Sequence, residues 1–294
     1  MLNALTIDVE DYYHVSAFES VIPYRDWERF ESRVEQNTHR ILELLDEYKT
    51  KATFFVLGWV AERQPQLIRA ISERGHEVAS HGYAHQRIDT QSPDQFREET
   101  RQSKRIIEDA IGQTIIGYRA ASYSITAKSI WALDILKEEG FLYDSSIFPI
   151  RHDLYGIPGY YRTCHLLNGY GGSGMVEFPL STLRLAGINI PIAGGGYLRF
   201  FPYGFTRWAI TQLNEKEHQP AVVYLHPWEI DPEQPRIRAG ARSRLRHYTN
   251  LNKTEYRLKA LLGDFSFGTM VEVLKAQGFL NTQSTSYQPT AQRA

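Results

Sequence analysis

Two histidines four residues apart, His81 and His85, are the side chains of this sequence that most directly suggest chemistry. They follow the short run 77–79, which resembles the end of a β-strand. A spacing of four residues places two side chains on one face of a helical turn, so both imidazoles can bind a single metal ion. The pair gains weight from acidic residues elsewhere in the chain that could complete such a site.

Acidic residues near the N-terminus are the candidates for that role. Asp8, Glu10 and Asp11 end another apolar run. Side chains alternate along a strand, so Asp8 and Glu10 point to one face and Asp11 to the other. Two carboxylates on one face can divide the work, with one binding metal and the other accepting a proton. Two histidines and one carboxylate form a catalytic zinc site with a position left for water, so we expect one divalent ion, most simply zinc.

Two further polar residues, Arg119 and His226, follow predicted strands, and a third, Asp144, lies in the run 143–146. In a barrel of parallel strands, active residues lie at the carboxyl ends of the strands. Arg119 could hold a catalytic base ionised and oriented, and His226 could serve as a general acid. Asp144 could orient the His226 ring through its N–H. The alternatives are a surface cation for Arg119, a core residue for His226 and a turn cap for Asp144.

Short apolar runs alternate with helical patterns, which predicts an α/β fold with a parallel sheet and helices outside it. The predicted strands are residues 5–9, 52–57, 77–80, 115–118, 175–178 and 221–225, and the predicted helices are residues 34–48, 60–74, 93–111, 127–139, 202–217, 253–262 and 268–277. Residues 151–174 are rich in glycine, tyrosine and proline and predict a long loop, of the kind that often forms a functional lid.

The composition indicates which kinds of partner and which cellular compartment to expect. The chain has 294 residues, 42% of them hydrophobic, and a net charge of -1, which argues against nucleic acid as a partner. Cys164 is the single cysteine, so no internal disulfide can form. No apolar run approaches the ~20 residues that span a bilayer, and no signal-peptide pattern opens the sequence. We therefore expect a cytoplasmic protein without a membrane span, and the sequence leaves its oligomeric state open.

Together these motifs resemble the polysaccharide deacetylase family, the NodB-homology domain of carbohydrate esterase family 4. The resemblance covers residues 4–230 and is carried by residues 6–11 (TIDVED), 53–56 (TFFV), 80–85 (SHGYAH), 117–122 (GYRAAS), 143–146 (YDSS) and 225–226 (LH). It implies a distorted (β/α)7-type barrel, a divalent metal ion and the removal of acetyl groups from N-acetylated sugars.

The resemblance also implies roles for individual residues. By this comparison Asp8 is the base, His81 and His85 are metal ligands, Arg119 steadies the base and His226 is the acid. These assignments agree with the placement of the same residues after the predicted strands.

The sequence departs from the family pattern at two motifs. Val9 occupies the position of the family's second aspartate, so the third ligand must be Glu10 or Asp11. Strand alternation favours Glu10, whereas a bend would admit Asp11. Ala121 and Ser122 replace the proline and tyrosine of the third motif. The tyrosine's backbone N–H usually helps to bind the oxyanion, and the Ser122 N–H could do the same because a backbone donor does not depend on the side chain.

A narrower resemblance concerns residues 8–14 and 246–251, which are similar to a subfamily found in exopolysaccharide gene clusters of exosortase-containing bacteria. It implies a role in exopolysaccharide biosynthesis. It also implies a catalytic domain over residues 1–235 and a short C-terminal helical extension over residues 236–294 that packs on the barrel.

The expected partner is an N-acetylated sugar or polysaccharide. Tyr123, Tyr160 and Trp228 are the predicted substrate contacts, because sugar faces stack on aromatic rings. We expect residues 151–174 and 194–201 to form the rim of an open groove. Two alternatives remain: hydrolysis of a small amide, as in allantoinase-like relatives, and a glycan-binding module without activity, which should have lost a ligand or the base.

Overall fold

The computed structural model describes residues 1–167, 174–192 and 194–281. Its strands are β1 (Leu2–Val9), β2 (Thr53–Val56), β3 (Glu77–Ser80), β4 (Gly117–Tyr118), β5 (Tyr143–Asp144), β6 (His165–Leu167), β7 (Met175–Glu177), β8 (Thr182–Leu185), β9 (Ile188–Pro191), β10 (Val222–Leu225) and β11 (Ser266–Gly268). Its α-helices are α1 (Val34–Glu47), α2 (Gly58–Arg63), α3 (Pro65–Glu73), α4 (Pro93–Ile111), α5 (Ala132–Glu138), α6 (Gly196–Phe200), α7 (Tyr203–Glu215), α8 (Ala241–Tyr248), α9 (Leu251–Asp264) and α10 (Met270–Ala276). Short 3₁₀ turns cover Ser16–Phe18, Tyr24–Arg29, Ile88–Thr90, Ala121–Tyr123 and Pro227–Ile230.

Seven strands form the parallel part of the main sheet, in the order β10-β1-β2-β3-β4-β5-β7. β6 adds to the β7 edge antiparallel, and β11 pairs in parallel with the start of β1. β8 and β9 form a separate antiparallel pair. The predicted α/β fold with a distorted seven-stranded parallel barrel is confirmed.

Local sequence explains how the helices begin and end. Proline lacks the N–H that a helix interior needs but suits a first helical position. Pro65 accordingly divides the single helix predicted over 60–74 into α2 and α3. Ser92 and Gln95 cap the start of α4 reciprocally, and Gly112 ends that helix with a φ of 68°. The apolar faces of these helices pack against a continuous buried core.

Several short elements differ from the sequence prediction. The predicted loop 151–174 contains β6, while its residues 168–173 lie outside the described part of the chain. The prediction also missed β5, β8, β9 and β11, whose two to four residues give no measurable alternation. Residues 282–294 of the predicted extension are outside the described residues as well, and the described part joins the sheet through β11.

The carboxyl ends of β1, β3, β4 and β10 meet at one end of the barrel. Residues that directly follow these strands are therefore brought together although they lie far apart in sequence. Searched over the described ranges, the chain has no helix that is both long enough and apolar enough to cross a membrane.

Candidate active site and metal centre

Three side chains meet at this end of the barrel in an arrangement that fits a metal ion. Glu10 follows β1, and its Oε1 lies 3.0 Å from His81 Nε2 and 3.1 Å from His85 Nε2. All three residues are buried. Their ligand atoms lie within 4.8 Å of one another. The structure therefore brings together the two histidines and the acid that strand alternation favoured.

The hydrogen bonding of His81 explains why this group suits a cation. Its Nδ1 donates to the backbone carbonyl of Arg119 at 2.8 Å, which fixes the ring with Nε2 facing Glu10 Oε1. Burial alone would raise the pKa of Glu10. The charges of His85 and His226 outweigh burial, and hydrogen bonds with His81 and His85 add to their effect, so this pKa lies well below its usual range. An ionised carboxylate and two imidazole nitrogens converge, and this donor set is typical of zinc.

Asp11, the other possible third ligand, has a structural position. Its Oδ2 accepts hydrogen bonds from Ser32 Oγ at 2.8 Å and from the backbone N–H groups of Arg33 and Val34 at 2.8 and 3.1 Å. Its Oδ1 accepts from the N–H of Tyr12. Asp11 thus caps the N-terminus of α1 and is turned away from the two histidines.

Asp8 lies beside the three candidate ligands but has different partners. Its Oδ1 accepts from Arg119 Nη1 at 2.7 Å, and its Oδ2 accepts from the Tyr123 hydroxyl at 3.2 Å. Arg119 is fully buried, with its guanidinium 4.1 Å from the centre of the Phe55 ring and further bonds to Thr6 and Ser145. Burial lowers the pKa of Arg119, and the Asp8 charge outweighs this and raises it.

His226 follows β10 and points its ring at the same acids. Its Nε2 lies 3.9 Å from Asp8 Oδ2 and 3.8 Å from Glu10 Oε1. Its Nδ1 donates to Glu229 Oε2 at 3.0 Å, and Glu229 Oε1 accepts from Arg199 Nε at 2.6 Å. Burial would lower the pKa of His226, but the charges of Glu10 and Glu229 raise it to about 9.

The expectation that Asp144 orients His226 is wrong, because Glu229 occupies that position. Asp144 instead accepts two hydrogen bonds from Ser146, from its N–H at 3.0 Å and its hydroxyl at 2.6 Å. It also shares a hydrogen bond with buried Glu177, and burial raises the pKa of both carboxyls. Asp144 therefore fits the alternative of a turn cap at the end of β5.

Ser122 lines the cavity in front of these residues. Its backbone is left-handed, with a φ of 51°, and its hydroxyl lies 2.6 Å from that of Ser16. A non-glycine residue in this conformation is strained, and such strain is often found at functional sites. The Ser122 N–H has no hydrogen-bond acceptor within the part of the chain that the structure describes, so it is free to serve a ligand.

The cavity measures about 420 Å³ and opens to the surface. Tyr123 and Trp228 line it, as predicted for substrate contacts, whereas Tyr160 does not. The Tyr160 hydroxyl faces His165 Nε2 at 3.4 Å, because the pairing of β6 with β7 turns this part of the segment away. Both predicted rim segments do contribute to the wall, through His152, Leu154 and Tyr155 and through Gly196, Tyr197, Arg199 and Phe200.

Sequence reasoning missed several residues of this site. Glu229 gave one usable signal, since it lies three residues after His226, the spacing of a reciprocal cap. Arg199 and His247 gave none, because their positions depend on the packing of α6 and α8. His247 stacks on Trp228 with ring centres 4.1 Å apart, and Trp228 stacks on His226 at 5.1 Å.

Comparison with known proteins identifies related sequences. Residues 27–141 match the family model described as Polysaccharide deacetylase, and residues 145–275 match Domain of unknown function (DUF3473). A chitooligosaccharide deacetylase of Bradyrhizobium sp. (strain ANU 289) is 33% identical over 99 residues, covering 34% of this chain and 43% of that protein. Residues 27–141 are therefore similar to polysaccharide deacetylases. The matched part of the chain covers less than half the length of each of the first curated relatives.

Further matches include another deacetylase sequence and two solved structures. A peptidoglycan-N-acetylglucosamine deacetylase of Bacillus cereus (strain ATCC 14579) is 32% identical over 75 residues, covering 26% of this chain and 27% of that protein. A Mycobacterium smegmatis crystal structure assigned to the polysaccharide deacetylases aligns with a TM-score of 0.61 and 22% identity, over 97% of this chain and 93% of its own. Puue allantoinase aligns with a TM-score of 0.60 and 14% identity, over 95% of this chain and 91% of its own. Both structural likenesses concern the fold alone.

Proposed function

We propose that this protein is a metal-dependent N-deacetylase that hydrolyses the acetamide group of an N-acetylated sugar. The observation that supports this most directly is the convergence of Glu10, His81 and His85 beside a second carboxylate, Asp8, and a further imidazole, His226. Amide hydrolysis requires a base, an acid and a polarised carbonyl, and this group can supply all three.

Asp8 is the proposed base. A divalent ion held by Glu10, His81 and His85 would supply Lewis-acid chemistry toward a carbonyl oxygen and a water molecule. Asp8 takes the proton from the attacking water. Arg119 holds this carboxylate in place through the hydrogen bond from its Nη1 to Asp8 Oδ1.

His226 is the proposed acid. Its pKa of about 9 keeps the ring protonated at neutral pH, and the bond to Glu229 leaves Nε2–H free to donate to the leaving amine. The Ser122 N–H is the proposed donor to the oxygen that gains negative charge as the carbonyl is attacked. These roles agree with those that the family resemblance implied.

The finer assignments are also proposals. Zinc is the proposed metal because two imidazoles and one carboxylate suit it. An exopolysaccharide precursor as substrate rests on the sequence resemblance, and a cytoplasmic location is likewise a proposal. A glycan-binding module without activity is disfavoured, because the candidate ligands and Asp8 are all in place.

The test measures acetate release by the purified, zinc-loaded protein from N-acetylglucosamine oligomers and from allantoin-like amides. We expect acetate from the sugars and none after His81→Ala, which should also lower the bound metal. Hydrolysis of the small amides alone would replace this proposal with the allantoinase-like alternative. Full activity in a metal-free preparation would contradict the metal-dependent mechanism.

A further inference from the structure

The segment before and within α8 carries positive charge that the composition of the whole chain conceals. The net charge is -1, yet no acidic residue occurs between Glu233 and Glu255. Five arginines lie in this interval, which we call the α8 arginine cluster: Arg236, Arg238, Arg242, Arg244 and Arg246. The electrostatic potential at this surface is therefore strongly positive, although the net charge of the whole molecule is close to zero.

The cluster is exposed and largely without counter-ions. All five arginines are exposed. Arg242 pairs weakly with Asp153 at 3.4 Å, and Arg236 lies over the Tyr248 ring at 4.3 Å. Among the described residues, the guanidinium groups of Arg238, Arg244 and Arg246 have no ion-pair or hydrogen-bond partner. Such cations remain available to a ligand.

The cluster adjoins the candidate active site. Arg246 lines the cavity that contains Asp8 and Glu10, together with His152. Buried Arg199 fixes its position, because it donates to the carbonyl of Arg246 at 3.1 Å and to that of His247 at 2.8 Å. The arginine at the mouth is thus held at a fixed place beside the site rather than on a loose tail.

We propose that the substrate is an N-acetylated glycan that carries a negative group, a carboxylate or a phosphate, next to the sugar that is deacetylated. The proposal rests on the proposed function and adds a class of substrate to it. Arg246 binds the anionic group, since a guanidinium fits both oxoanions in a bidentate manner. The other four arginines raise the local concentration of an anionic substrate through the field at the cavity mouth.

The experiment compares kcat/KM for three substrates of the zinc-loaded full chain. They are a neutral N-acetylglucosamine oligomer, an oligomer of equal length that alternates N-acetylglucosamine with glucuronate, and a nucleoside diphosphate ester of N-acetylglucosamine. We expect at least one anionic substrate to be preferred about tenfold. The preference should shrink as salt is added, because salt screens exposed charges. The two anionic arms separate a carboxylate from a phosphate source.

A pair of variants tests the assignment of Arg246. Arg246→Gln should lower the ratio of anionic to neutral kcat/KM about tenfold, a ratio that a general folding defect would leave unchanged. The matched control is Arg105→Gln, an exposed arginine of α4 that does not line the cavity, and this variant should keep the ratio.

Each other outcome has a defined meaning. Release of acetate with equal rates for neutral and anionic substrates would overturn this inference and leave the deacetylase proposal intact. No acetate from any of the three would overturn both. Binding of the chain to vesicles containing phosphatidylglycerol, without preference among the substrates, would assign the arginines to a membrane surface and overturn the substrate proposal.

Discussion

Asp8 and Glu10 are two residues apart on the same strand end, yet the fold gives them different partners. Glu10 meets the imidazoles of His81 and His85, whereas Asp8 meets Arg119 and Tyr123. The partners, rather than the residue types, separate a ligand from a base. Substitutions at the two positions should therefore have different consequences for metal and for turnover.

Asp8→Asn should leave the metal bound and lower kcat about 10²- to 10⁴-fold, because a positioned general base is lost. Metal analysis and acetate kinetics on the same preparation measure both effects. Glu10→Gln is the comparison variant and should reduce the bound metal. If Asp8→Asn released the metal instead, the assigned roles of the two acids would be exchanged.

Glu229→Gln should lower kcat roughly 10- to 100-fold with little change in KM, because the ring of His226 loses the carboxylate that holds it. Asp144→Asn is the matched control, since it replaces the residue that sequence reasoning had assigned to this task. Steady-state kinetics of the two variants decide whether Glu229 or Asp144 orients His226. A larger loss of kcat in the Asp144 variant would restore the original assignment.

Residue type and spacing were sufficient to predict the group formed by Glu10, His81 and His85 because each follows a strand whose carboxyl end is recognisable. The partner of His226 was not predictable in the same way. Asp144 ends β5, and only the direction of its side chain toward Ser146 shows that it caps a turn. Side-chain direction after a two-residue strand is decided by tertiary packing.

At the scale of elements, α1 depends on an acid that the metal site does not use. Asp11 accepts three hydrogen bonds at the start of that helix, from Ser32, Arg33 and Val34. Asp11→Ala should lower the free energy of unfolding by about 1–2 kcal/mol, as loss of a helix cap does. Asp11→Asn retains an oxygen acceptor and should cost less. Urea denaturation measures both, and equal losses would show that the cap is not what stabilises the helix.

The segment that carries α6 is attached to β10 at a glycine. Gly194 bridges to Tyr224 with a φ of 125°, and a Cβ there would lie 1.9 Å from the Tyr224 carbonyl oxygen. Gly194→Ala should destabilise the fold by about 2 kcal/mol or more and displace Arg199 from Glu229. Gly204→Ala is the control, because its Cβ would meet nothing within 4 Å. Equal stability of the two variants would contradict this account.

The elements that sequence predicted well are those with several consecutive buried residues, such as β2 and β10, where every residue is buried. Elements of two or three residues, such as β5 and β11, were missed because their apolar pattern is too short to detect. Pairing with neighbouring strands stabilises them, rather than their own propensity, and this pairing exists only in the assembled sheet.

At the scale of the whole molecule, the C-terminal part is built into the barrel. β11 pairs with β1, and the carbonyls of Arg246, His247 and Thr249 accept hydrogen bonds from Arg199. We expect the full chain to unfold in one transition, and residues 1–235 alone to lack a cooperative transition. Thermal unfolding followed by circular dichroism and by fluorescence tests this. Two separate transitions would indicate an independent extension.

The global composition was an accurate guide to the presence of a full core and a poor guide to the surface. A hydrophobic content of 42% is ample for a buried core, and the described residues form one large hydrophobic cluster and a smaller second one. The near-zero net charge, however, is a sum over both signs and carries no information about their separation. The α8 arginine cluster becomes visible only when position in the fold is known.

The ring stack at the cavity wall has a spectroscopic consequence. Trp228 lies between the imidazoles of His226 and His247, at centroid distances of 5.1 and 4.1 Å. A protonated imidazole in contact with an indole quenches its emission by accepting an electron from the excited state. The fluorescence of this tryptophan therefore reports the charge on the His226 ring without any label. The difference in emission between the native chain and Trp228→Phe isolates that signal, and the protein thus contains its own optical probe of proton transfer.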